Sequence, residues 1–90
     1  MNISEKTRII NVGKKPLRDY VIEIILAFQE GFSEIALKGI GPYISKTVDL
    51  YNLLLTRIGD SVELMNVSIG SDKFKGKIRP YILIKIRRKY

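Results

Sequence analysis

Ninety residues suffice for one domain, 1–90, but so short a chain buries a smaller fraction of its surface than a longer one, so self-association would add stability. The absence of cysteine and histidine excludes disulfides and thiolate metal sites, and it removes both the cysteine nucleophile and the commonest general base. The net charge of +7 is unevenly spread: residues 73–90 carry eight cations and no acid, whereas residues 1–72 carry eight cations and nine acids. Such a concentration suits a polyanion partner, the alternative being a basic segment that only keeps the protein in solution.

Residues 1–8 are polar, with no signal-peptide core, and the longest apolar stretch (20–28) is interrupted by Glu23 and too short to cross a bilayer. The expectation is a soluble, intracellular protein with no membrane partner. "TRIINV" (7–12) is short and β-branched, and reads as a strand. "GKKP" (13–16) is a turn whose proline suits the first position of a helix. Leu17, Tyr20, Val21, Ile24, Ile25 and Phe28 then recur at helical spacing, and Gly31 stops the run. "EIALK" (34–38) is a second strand. After the turn at 39–41, Ile44, Val48, Tyr51, Leu55 and Ile58 form another helical stripe, widened by Leu50, Leu53 and Leu54. This helix is apolar over more than one face and needs something besides its own sheet to cover it. Val62 and Leu64, then Val67 and Ile69, alternate with a phase break at 65–66 that a bulged strand explains. A polar hairpin (70–77) leads to a long strand whose Ile78, Pro80, Ile82, Ile84 and Ile86 alternate with Arg79, Tyr81, Leu83, Lys85 and Arg87. The order is β-α-β-α-β-β, an α+β two-layer sandwich with two helices packed on a four-stranded mixed sheet.

Enzyme chemistry finds little here. The nine acids are scattered without a metal-loop pattern, Ser45–Lys46 lacks the S-x-x-K spacing, and no metal or cofactor is expected. The turn "GIGPYI" lacks the third glycine of a dinucleotide fingerprint and the Gly-Lys-Ser end of a P-loop. It could hold a phosphate at a helix start, flanked by Lys38 and Lys46, or simply make a tight turn. Lys14, Lys15 and Arg18 surround the start of the first helix in the same way, the alternative being a solvated loop. Tyr20 could stack at a nucleic acid, although its apolar register favours the core. In the hairpin, Lys73, Lys75, Lys77 and Arg79 surround one aromatic and one glycine, a ribbon able to reach along a groove and touch phosphates.

"VGKKPLRDYV" (12–21), "GFSEIALKG" (31–39) and "ISKTVD" (44–49), followed by "IGS" (69–71) and the basic last strand, resemble the signature blocks of the Alba family, small basic chromatin proteins of archaea. The resemblance implies a fold similar to the C-terminal domain of a translation initiation factor. It also implies a cytoplasmic, chromosome-associated homodimer whose two hairpins embrace duplex DNA, with RNA as a further ligand. Heterodimerisation with a second Alba, or a place in an RNase P-like ribonucleoprotein, are the alternatives it leaves open. The family's phosphate-facing lysine pair falls on Lys14 and Lys15, with acetylation implied at Lys14, and its helix-end arginine falls on Arg57. Ile40 and Pro42 stand where the family pattern has arginines, and Ile58 stands where it has the aromatic that packs dimer against dimer. A dimer interface is expected at Leu50, Leu54, Ile58 and Leu83.

Overall fold

A computed structural model describes residues 7–89. The polar start, read above as lacking a signal-peptide core, lies outside the described residues over positions 1–6. Six elements follow in the expected order: β1 (Thr7–Asn11), α1 (Leu17–Gln29), β2 (Glu34–Ile40), α2 (Ile44–Ile58), β3 (Val62–Phe74) and β4 (Lys77–Arg88). Single 3₁₀ turns, Gly41–Tyr43 and Gly59–Ser61, bracket α2. The sheet order is β1-β2-β4-β3, with β1 and β2 parallel and the other pairs antiparallel.

α1 forms because its apolar residues fall on one stripe and Pro16 starts it without needing an amide donor. It ends in a Schellman motif, in which Gly31 at φ 103° and Phe32 donate to the Phe28 and Ala27 carbonyls. α1 and α2 both lie on one face of the sheet. The core between the layers is made by Ile24 of α1, Ile35 and Leu37 of β2, Leu50 and Leu54 of α2, and Ile84 and Ile86 of β4. Each side chain so enclosed contributes about 1.5–3 kcal/mol through removal from water. No helix among the described residues is long and apolar enough to cross a membrane.

The strand bulge falls where the broken alternation places it: the β3–β4 register shifts between Leu64 and Asn66, so Met65 is the extra residue. In the hairpin, strand pairing continues to Phe74–Lys77 and only Lys75 and Gly76, both at positive φ, make the turn. One feature differs from expectation: the apolar side of β4 is buried only from Ile82 onward, since Ile78 is 71 % exposed and Pro80 is also exposed. From Ile82 to Lys77 the ribbon therefore runs about 17 Å, five residue steps, with no helix over it. The overall dimensions are 41 × 34 × 19 Å.

Candidate nucleic-acid interface

The segment joining β1 to α1 is held by two side chains. The Tyr20 hydroxyl accepts a hydrogen bond from the Gly13 amide at 2.7 Å. The Lys46 ammonium, coming from α2, donates to the Gly13 and Lys15 carbonyls at 2.6 Å each. Both residues position the loop, which corrects two expectations. Tyr20 is buried beneath the loop and offers no face for a base to stack on. Lys46 reaches away from the glycine turn to the loop before α1, where two of its three donors are committed to main-chain oxygens. Lys15 pairs with Glu23 at 3.1 Å, and its ammonium lies 4.9 Å from the Tyr20 ring centroid. Lys14 and Arg18 are exposed and make no hydrogen bond or ion pair among the described residues. Arg18 and Arg57 border one small groove between α1 and α2, so the helix-end arginine joins the helix-start cluster.

The glycine turn is a packing device. Gly39 still belongs to β2, and a methyl group there would overlap the Thr47 hydroxyl and the Tyr43 carbonyl. Thr47, fully buried, donates to that carbonyl at 2.8 Å, so β2 and the start of α2 meet at backbone distance. Lys38 turns away from the helix start: its ammonium lies 3.1 Å from the Asp72 carboxylate and 4.6 Å from the Tyr81 ring centroid. Both lysines expected beside the turn are engaged elsewhere, Lys38 with Asp72 and Lys46 with the loop before α1.

The arm is different. Its one acid, Asp72, is matched by Lys38. Lys73, Lys77 and Arg79 are exposed without partners among the described residues, and Lys75 approaches only the Phe74 ring, at 5.4 Å. The strand register puts Phe74, Lys77 and Arg79 on the helix-free face and Lys73 with Ile78 on the other. Three cations at the base of the same hairpin are engaged: Lys85 with Glu34, Arg87 with Glu63, and Arg88 with the Phe28 carbonyl. Among the described residues no group of three or more acids could hold a metal ion.

The residues expected at a dimer interface do not form one surface. Leu50 and Leu54 are 0 % exposed because they face the sheet, and they have nothing to offer a second copy. Ile58 is half-buried against the core, and half-buried Leu83 lies on the helix-free face. Leu64, Val67, Ile69 (81 % exposed) and Ile78 form an apolar strip on the helix side of β3 and β4. Val48 and Leu55 continue it on the side of α2 away from Leu53 and Arg57, which face α1. Period-2 alternation marks these strand residues as one face; it does not show that the helices stop short of them. Phe74 and Tyr43, isolated in sequence, line one cleft, and Lys38, which also lines it, lies against the Tyr81 ring.

The Alba family model matches residues 8–71. Proteins called DNA/RNA-binding protein Alba 2, from Saccharolobus shibatae and Saccharolobus solfataricus, are each 43 % identical over 89 residues, covering 98 % of this chain and all of theirs. A DNA/RNA-binding protein Alba from Pyrobaculum calidifontis is 38 % identical over 69 residues, which is 76 % of this chain and 75 % of that protein. Among solved structures, Alba from Thermoplasma volcanium is similar with a TM-score of 0.80 at 26 % identity, over 89 % of this chain and 99 % of that one. ALBA1 from Trypanosoma brucei shares the fold, with a TM-score of 0.79 at 16 % identity over 89 % of this chain and 68 % of that one.

Proposed function

The chain belongs to the Alba family, and on that premise we propose that it binds double-stranded DNA and RNA, with little regard to sequence, as a chromosome-associated homodimer. The observation that carries the proposal is the arm: four cations without an ion pair among the described residues, on a two-residue-turn hairpin that runs about 17 Å past its last buried residue, Ile82. Rigid pairing fixes where the charges point, and phosphates, which carry no sequence information, are what such charges meet. Lys14, Arg18 and Arg57 supply a second basic cluster for the flanking backbone, and Lys14, exposed and unpaired among the described residues, is where acetylation would remove a contact. The names of the relatives, which describe them as DNA/RNA-binding proteins, support the same ligand class. Dimerisation is supported by the strip formed by Leu55, Leu64, Val67, Ile69 and Ile78, which a second copy would cover, bringing two arms to one duplex.

Titration of duplex DNA at several salt concentrations tests the reading. Each phosphate contact steepens the fall of log affinity with log salt by about 0.9 on B-form DNA. Replacing Lys75 and Lys77 by alanine flattens that slope by about 1.8 per chain, equally for unrelated sequences. An unchanged slope, or a loss confined to one sequence, contradicts the arm as a phosphate-binding element.

A further inference from the structure

Between the arm and the body of the sheet lies a cleft of about 510 Å³. Its walls come from three places far apart in sequence: Asn11 at the end of β1, Tyr43 in the 3₁₀ turn before α2, and Phe74 with Arg79 on the arm. The Lys38–Asp72 pair also lines it, with the Tyr81 ring lying against that ammonium. The volume is within the roughly 300–1,000 Å³ typical of small-molecule sites. Phe74 is 61 % exposed at its edge, although a phenyl ring gains from being covered.

We propose that this cleft receives the base of an unpaired nucleotide, stacked against Phe74 opposite Tyr43, with its phosphate held by Arg79 and Lys73 at the rim. The proposal rests on the nucleic-acid reading above and deepens it by naming a second kind of contact. Aromatic rings take any base, because every base has a π-face. Asn11 and the Lys38–Asp72 pair offer both donors and acceptors to the base edge, so the cleft tolerates different bases. A paired base cannot enter without being flipped out of its stack, which costs a few kcal/mol. The cleft therefore favours overhangs, bulges and single strands over blunt duplex, whereas the lysines of the arm do not distinguish among them. Lys38 has its role here: its pairing with Asp72 removes a bare carboxylate that would repel an incoming phosphate.

The test compares a blunt duplex with the same duplex carrying a short single-stranded overhang that contains 2-aminopurine, in DNA and RNA versions. The wild-type protein binds the overhang duplex about tenfold more tightly, the effect of one base stacking on one ring, and quenches the 2-aminopurine fluorescence. Phe74→Leu, which keeps the apolar bulk and every cation, abolishes both the preference and the quenching while leaving blunt-duplex affinity and its salt slope in place. Tyr43→Leu, at the opposite wall, gives the same selective loss. A preference for the RNA overhang over the DNA one identifies RNA as the source of the nucleotide; equal preference identifies a site for either. Equal wild-type affinity for blunt and overhang duplexes, or a Phe74→Leu variant that weakens both alike, overturns the cleft and leaves the arm reading standing. Binding to neither probe overturns the nucleic-acid reading itself, and the cleft with it.

Discussion

The two ends of the β3–β4 hairpin are built from similar residues and do opposite things. At the distal end, Lys73, Lys75, Lys77 and Arg79 make no ion pair among the described residues, and the one acid of the arm, Asp72, is paired with Lys38. At the base, Lys85 lies 3.2 Å from Glu34, Arg87 lies 2.7 Å from Glu63, and Arg88 donates to the Phe28 carbonyl at 2.9 Å. What separates them is register. Beyond Tyr81 neither β1 nor β2 pairs with the ribbon, and Pro80 and Ile78 are exposed, so the acids of the body have no place there. A cluster of like charge is thus divided by the fold: Lys85, Arg87 and Arg88 are structural, and the four cations of the arm are left for a partner. Net charge alone does not predict which lysine matters.

Replacing Lys73, Lys75, Lys77 and Arg79 together by alanine breaks the comparison most severely. Duplex affinity falls by at least a hundredfold near physiological salt and the salt slope flattens by about 3.6 per chain, while the thermal midpoint hardly moves, because these side chains make no fold contacts. Anisotropy titrations and a thermal melt, run side by side, check both halves. A second contrast sets the buried leucines against the exposed strip. Leu54→Ala leaves a cavity and lowers stability by about 2–5 kcal/mol in chemical denaturation. Ile69→Asp leaves the fold intact and shifts sedimentation from dimer to monomer at tens of micromolar, since a carboxylate cannot be buried unpaired against a second copy.

The layers, the order of elements and the bulge near Met65 were legible in the sequence because each has a local cause: a period of 3.6, a period of 2, or a phase slip. The arm cations were legible as a charge run. Period alone was no guide to extent. Ile78 and Pro80 keep the alternation of Ile82, Ile84 and Ile86, yet no helix reaches them. Leu50 and Leu54 read as surplus apolar surface on α2, whereas the surplus is at Val48 and Leu55, one step round the helix. Lys38 and Lys46 sit beside the glycine turn in sequence, but their partners, Asp72 and the carbonyls of Gly13 and Lys15, come from segments no local pattern connects to it. The cleft at Phe74 was hidden for the same reason, since its walls meet only once the sheet is assembled.

Smaller effects sharpen the contrast. Lys85→Ala leaves the nearly buried Glu34 carboxylate with one cation fewer and lowers stability by about 1–2 kcal/mol, with the salt slope of binding unchanged. Lys14→Gln does the reverse on a smaller scale: the slope flattens by about 0.9 per chain, affinity drops several-fold and the melting curve overlays that of the parent.

The most direct measurement holds the change in charge constant and moves its position. Lys75→Ala/Lys77→Ala and Arg87→Ala/Arg88→Ala each remove two positive charges, one pair from the arm and one from the base. Salt-dependent titration of both against the same DNA duplex should show the arm variant losing about 1.8 units of slope per chain and the base variant keeping the parent's slope while melting earlier. Equal slope losses in the two variants would mean that binding follows net charge alone, and the division of the hairpin into a structural base and a binding arm would be wrong.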